Sequence, residues 1–335
     1  MLSIKKVNIL FLTTVLLLEI TTYFGVMAMI PEYSVRMLFS EIILCGPMIF
    51  IPLIKGKREA VTGGIKKIKI ADIFICIAFY ILTGFLMVFI NTVSLCFFTN
   101  RIAGTVNRIA GSLPIVLVII IVAVVPAVME ELAYRGIAGR AYSTVSPLGA
   151  ILLSSFIFGL FHGNLNQFSY AFIMGIVFSL LNEATGTVLS SIIVHFLTNA
   201  VSTVKLVVYP AMAESIGRKV NSLSQSGKTL SAALLRLETG VGDDGEIITQ
   251  LSRADAKTCL PVYAAAAVVG SVAAFMLLKV MARRNGRTEQ LKSAFKWRNS
   301  SKSAENMGEI GQIFTFPLVM TVAVLLFDMI AGEFI

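Results

Sequence analysis

Apolar residues fall along this chain in nine runs, separated by short polar or basic stretches. They cover Val7–Ile30, Met37–Ile54, Ile73–Phe98, a run from Pro114, Pro147–Phe161, Phe168–Leu181, Val188–Tyr209, Val262–Met281 and Ile313–Ile330. Most reach the roughly 20 residues that a helix needs to cross a bilayer. The pattern predicts an all-α, polytopic membrane bundle of eight or nine transmembrane helices. The first run is too long for a signal peptide and has no small-residue cleavage site before Pro31, so it reads as a retained span.

The fourth run is interrupted at Glu130, Glu131 and Arg135. No proline follows until Pro147, so the helix is expected to continue past Gly136 to about Tyr142, which carries the charges toward mid-membrane. The fifth and sixth runs are short. They flank His162 and the break Gly163-Asn164-Leu165-Asn166, where an asparagine is placed to cap the next helix. Broken apolar segments are tolerated at membrane depth only where protein or a wet cavity covers them.

From Ala211 the composition turns polar, and Gly240-Val241-Gly242-Asp243-Asp244-Gly245 has loop chemistry. Within this insert only Leu230–Leu237 suggests a short amphipathic helix. The stretch Arg283–Lys302, with Trp297, suits a basic membrane surface. The chain thus divides into N-terminal spans (1–113), a core (114–209), a hydrophilic insert (210–260) and C-terminal spans with a basic linker (261–335).

Composition agrees with this division. Of 335 residues, 56% are hydrophobic and 14% charged, with mean hydropathy +0.85; soluble domains carry about 25% charged residues. The net charge of +9 gathers in loops beside the apolar runs. That is the signature of the positive-inside rule and of an anionic lipid surface, with no nucleic acid implied. The loop holding Lys55, Lys57, Arg58, Lys66, Lys67 and Lys69 is therefore expected in the cytoplasm, and the insert outside. Cys45, Cys76, Cys96 and Cys259 are scattered without paired spacing and suggest neither disulfides nor a thiolate metal site.

The chain has only two histidines. Three residue pairs stand four apart, the spacing that shares a helix face: Glu131 with Arg135, Phe158 with His162, and His195 with Asn199. Taken singly, a Glu–Arg pair reads as a helix brace and a lone histidine as a core residue. Together, on neighbouring spans, they suggest hydrolysis in a membrane cavity. A carboxylate serves as base toward water. The imidazoles are either zinc ligands or, with the asparagine, donors to a developing oxyanion. No HExxH occurs, and two histidines do not make a three-histidine zinc site. Glu19, Glu41 and Asp328 lie in apolar runs without an evident cation and read first as structural or lipid-interface groups, with lining the cavity or pairing across helices as the alternative. Lys205 is expected to snorkel toward the interface.

The motifs Glu130-Glu131-x-x-x-Arg135, Phe158-x-x-x-His162, Phe172-x-x-Gly175 and His195-x-x-x-Asn199 resemble those of the CPBP family of intramembrane proteases. That family includes the type II CAAX prenyl endopeptidases (Rce1-like) and relatives linked to bacteriocin immunity and lysostaphin resistance. The resemblance covers residues 114–205. It implies Glu130 as the water-activating base, helped by His162, with His195 and Asn199 stabilising the oxyanion. Glu131, Arg135 and Phe158 would support them. On another view of the family, His162 and His195 help bind a divalent metal such as zinc. The implied substrate is a membrane-embedded or lipid-anchored peptide or protein. A proton-coupled transporter and a non-catalytic immunity or binding protein are the competing readings; the absence of repeated halves counts against the first, and the intact constellation against the second.

Overall fold

The computed structural model describes residues 1–99, 102–246, 252–296 and 313–334. Each of the nine apolar runs forms a helix: α1 (Ile4–Tyr23), α2 (Tyr33–Ile54), α3 (Ile70–Leu95), then, after the short amphipathic α4 (Ile102–Ala110), α5 (Ile115–Tyr142), α6 (Pro147–Leu160), α7 (Leu165–Thr185) and α8 (Leu189–Ala211). The insert supplies α9 (Ala213–Gln225) and α10 (Thr229–Thr239). They are followed by α11 (Arg253–Arg284), the short α12 (Thr288–Ser293) and α13 (Phe316–Phe334). Among the described residues six helices (α2, α3, α5, α7, α8 and α11) are long and apolar enough to cross a membrane, while α6 and α13 are shorter. The chain is a multi-pass membrane protein.

Helix α5 does run past Gly136, to Tyr142. It is not a regular α-helix, since Ile120–Val124 and Glu131–Gly139 are wound as wider π-turns. Pro126, between them, has no N–H for the carbonyl four residues back, that of Val122. Wider turns of this kind recur at functional sites.

Helices α6 and α7 form a hairpin. Ser146 caps α6 by accepting the Gly149 N–H, with Pro147 in the first turn. Gly163 turns the chain at φ +67°, and Asn164 caps α7 by accepting the Gln167 N–H at 2.8 Å. Close packing needs small residues here, as between membrane helices generally. A Cβ on Gly175 of α7 would stand 2.6 Å from the Ser155 Cβ and 2.8 Å from Arg135 Nη2. One on Gly270 of α11 would stand 2.5 Å from the Leu82 carbonyl of α3.

One end of the bundle gathers the basic loops. Lys66 N–H donates to the Thr187 hydroxyl, Lys69 Nζ to the Arg284 carbonyl, and Arg284 pairs with Asp72 at 3.2 Å. The insert sits at the other end and is more ordered than its composition suggested. It is a two-helix hairpin, turned at Gly227 (φ +73°), where one short helix was expected. Arg236 organises it, donating to Asp243, Asp255 and Ser224 at 2.6–2.8 Å. These three acceptors surround Arg236 only once the hairpin has folded. Trp297 lies outside the described residues.

Candidate active site

The two glutamates of α5 are adjacent, about 100° apart around a helix, and so face different neighbours. Glu131 is fully buried and accepts from Arg135 Nη1 at 2.8 Å, the i,i+4 brace that the spacing predicts. Arg135 lies with its guanidinium carbon 4.2 Å from the centre of the Phe158 ring and 5.4 Å from that of Phe178. These aromatic faces, together with the carboxylate, hold the cation inside the bundle.

His195 of α8 joins the two glutamates. Its Nδ1 is 3.1 Å from Glu131 Oε1, and its Nε2 is 3.5 Å from Glu130 Oε2. A carboxylate only accepts, so Nδ1 carries the hydrogen toward Glu131. The Glu131–Arg135 pair is already neutral. The outer couple of His195 and Glu130 is neutral as well when one proton lies between Nε2 and Oε2. The chain Arg135–Glu131–His195–Glu130 therefore balances its charge inside the bundle, where an uncompensated ion is costly.

Phe158 is the hub of the aromatic packing. Its ring meets His162 edge-on at 4.9 Å, His195 at 6.0 Å and Tyr134 at 5.2 Å. His162 Nδ1 donates to the Phe158 carbonyl at 2.8 Å, which leaves Nε2 as the free acceptor of the neutral ring. Asn199 Nδ2 reaches the Val122 carbonyl at 3.4 Å, the group to which Pro126 cannot donate. The wider winding of α5 and the asparagine of α8 thus belong to one local arrangement.

Glu130, His162, His195, Asn199 and Phe158 line one cavity of about 800 Å³. It extends from the glutamate to the insert, where Leu237, Glu238 and Gly240 form part of its wall. Lys205, expected to snorkel toward the interface, pairs with Glu238 of the insert, where the folded hairpin sets a carboxylate in its reach. Glu41 of α2, 6% exposed, also lines this cavity, and its Oε1 has no hydrogen-bond partner among the described residues. From the sequence, lining the cavity was only the second reading for Glu41, behind a structural one; its signal was a carboxylate in an apolar run. Glu19 and Asp328 lie close to each other across α1 and α13, away from the cavity. Phe178, which stacks on His195 at 5.0 Å, carried no signal beyond being an apolar residue.

Among the described residues no three His, Cys, Asp or Glu side chains converge as ligands. His195 turns both ring nitrogens to carboxylates, and His162 keeps only Nε2 free.

Residues 112–201 match the family of type II CAAX prenyl endopeptidases, Rce1-like. The matched segment is well under half of the chain but contains every member of the Glu130–Asn199 cluster. No curated protein and no solved structure matches the chain.

Proposed function

We propose, taking the Rce1-like match of residues 112–201 as the premise, that this chain is an intramembrane endopeptidase that uses Glu130 to activate water. The observation that carries the reading is the convergence of Glu130, His162, His195 and Asn199, from α5, α8 and the turn between α6 and α7, on one membrane cavity. The resemblance gave these four residues their order along the chain; the shared cavity adds a place for substrate.

In this mechanism a water lies between two acceptors, Glu130 and the free Nε2 of His162, and its lone pair points at the scissile carbonyl. Glu130 takes one proton as the water oxygen bonds to the carbonyl carbon. The carbonyl oxygen becomes an oxyanion, and the Asn199 amide is the nearby donor for it. Collapse of the intermediate breaks the C–N bond, and the proton held by Glu130 passes to the leaving nitrogen. His195 positions Glu130 and shares its proton, Glu131 orients His195, and Arg135 and Phe158 hold Glu131 and both imidazoles in place. A metal is not needed for any of these steps. The apolar and aromatic lining suits a membrane-embedded or lipid-anchored peptide.

Purified protein in liposomes, offered membrane-anchored and lipid-anchored peptides, should cleave one class and lose that activity in Glu130→Ala and His195→Ala. Cleavage that survives both changes overturns the mechanism. A pH-driven flux lost in Glu130→Gln, without cleavage, would favour the carrier reading instead.

A further inference from the structure

A second, smaller recess of about 190 Å³ lies behind Arg135, at the basic end of the bundle. The Gly63–Gly64 turn, the last turns of α5, the start of α6 and the α7–α8 connection enclose it. Lys66, Arg135, Arg140 and Arg287 border it, against a single carboxylate, Glu183. That carboxylate is already engaged by Arg287 at 3.2 Å.

The other cations are left over. Arg135, only 5% exposed, gives Nη1 to Glu131, while its Nε and Nη2 have no acceptor among the described residues. The Nη1 of Arg140 is buried and also without an acceptor. Among the described residues neither Arg140 nor Lys66 has an ion-pair partner. Unmet buried donors are costly, and the half-buried Arg140 and exposed Lys66 add two charges without a counterion among the described residues. Water would satisfy the donors but leave the charge standing. An oxyanion answers both demands, and the planar guanidinium fork matches phosphate oxygens. The recess has room for a phosphate group. It opens among the loops that the positive-inside rule places against the anionic leaflet, where basic pockets between helices take lipid headgroups.

We propose that this recess binds a phosphate group, carried by an anionic lipid headgroup or supplied as free phosphate. It is held by Arg140 and Lys66, with the free edge of Arg135 at its floor. Because the opposite edge of the same guanidinium holds Glu131, occupancy steadies the brace behind Glu130 without touching the cavity.

The test is the thermal unfolding midpoint of the full-length protein in nanodiscs. Discs of phosphatidylcholine alone are compared with discs containing phosphatidylglycerol, and inorganic phosphate is titrated into the neutral discs. At a hundredfold excess over the dissociation constant, the midpoint should rise by on the order of 5 °C. A rise with phosphatidylglycerol alone identifies a headgroup, and a rise with inorganic phosphate identifies the free ion. Lys66→Gln with Arg140→Gln should abolish either rise, whereas Arg58→Gln with Lys67→Gln, exposed cations of the same end, should keep it. Ser143→Glu places a carboxylate at the recess and should raise the midpoint in neutral discs while removing the ligand effect, even if the glutamine pair fails to fold. No rise with either probe, or a rise that survives Ser143→Glu, overturns the proposal.

Discussion

Replacing Arg135 by leucine isolates the brace behind the site. Glu131 is fully buried, and among the described residues the 2.8 Å contact with Arg135 is its only contact to a permanent cation. Removing one partner of a buried pair strands the other and costs about 3–5 kcal/mol. In a Glu131→Gln background the loss of Arg135 strands no carboxylate and removes a guanidinium that the first substitution had left without its counterion, while the introduced amide still accepts from His195 Nδ1 through its carbonyl oxygen. There the loss of Arg135 removes one hydrogen bond, about 1 kcal/mol, and the contacts with Phe158 and Phe178, another ~1 kcal/mol. Because that relief offsets part of the loss, the two costs of the same substitution should differ by at least about 2 kcal/mol. The assay is reversible denaturant unfolding in detergent across the four-member cycle. Equal costs of Arg135→Leu in both backgrounds would refute the view that Arg135 acts as the counterion of a buried glutamate.

Gly175→Ala should destabilise the protein by about 1–3 kcal/mol through overpacking, since its Cβ would meet Ser155 at 2.6 Å; a lowered thermal midpoint is the readout. Asn199→Asp replaces the proposed oxyanion donor by an acceptor and should lower kcat by roughly 100-fold or more, with KM little changed. Phe158→Leu removes the ring that meets both histidines and Arg135, and should lower kcat while leaving detergent-solubilised protein folded, as judged by circular dichroism. Cleavage should keep its rate after treatment with a chelator, because no three ligands converge among the described residues; a loss restored by zinc would return His162 and His195 to the metal-ligand role.

Local spacing carried much of this structure. Nine apolar runs became helices, the lack of a proline before Pro147 let α5 pass Gly136, and the i,i+4 rule placed Glu131 against Arg135. Asn164 as a cap and Gly163 as a turn were also legible, since both depend on the backbone within a few residues. The π-turns of α5 left a trace in Pro126, but the winding depends on how neighbouring helices satisfy the freed carbonyl. The insert was harder to read, because the acceptors that hold Arg236 come from three separate segments.

The sequence by itself determined that charged groups sit inside a helical membrane bundle and which of them share a helix face. Only the tertiary structure decided that Glu130 faces the cavity, that His195 joins it to Glu131, and that Glu41 shares that cavity. It alone decided, too, that Arg140 has a buried Nη1 with no acceptor among the described residues. The division has a physical cause. A helix fixes the relation of residues three or four apart through its own hydrogen bonds, whereas contacts such as His195 with Glu131, 64 residues apart, depend on how separate helices pack.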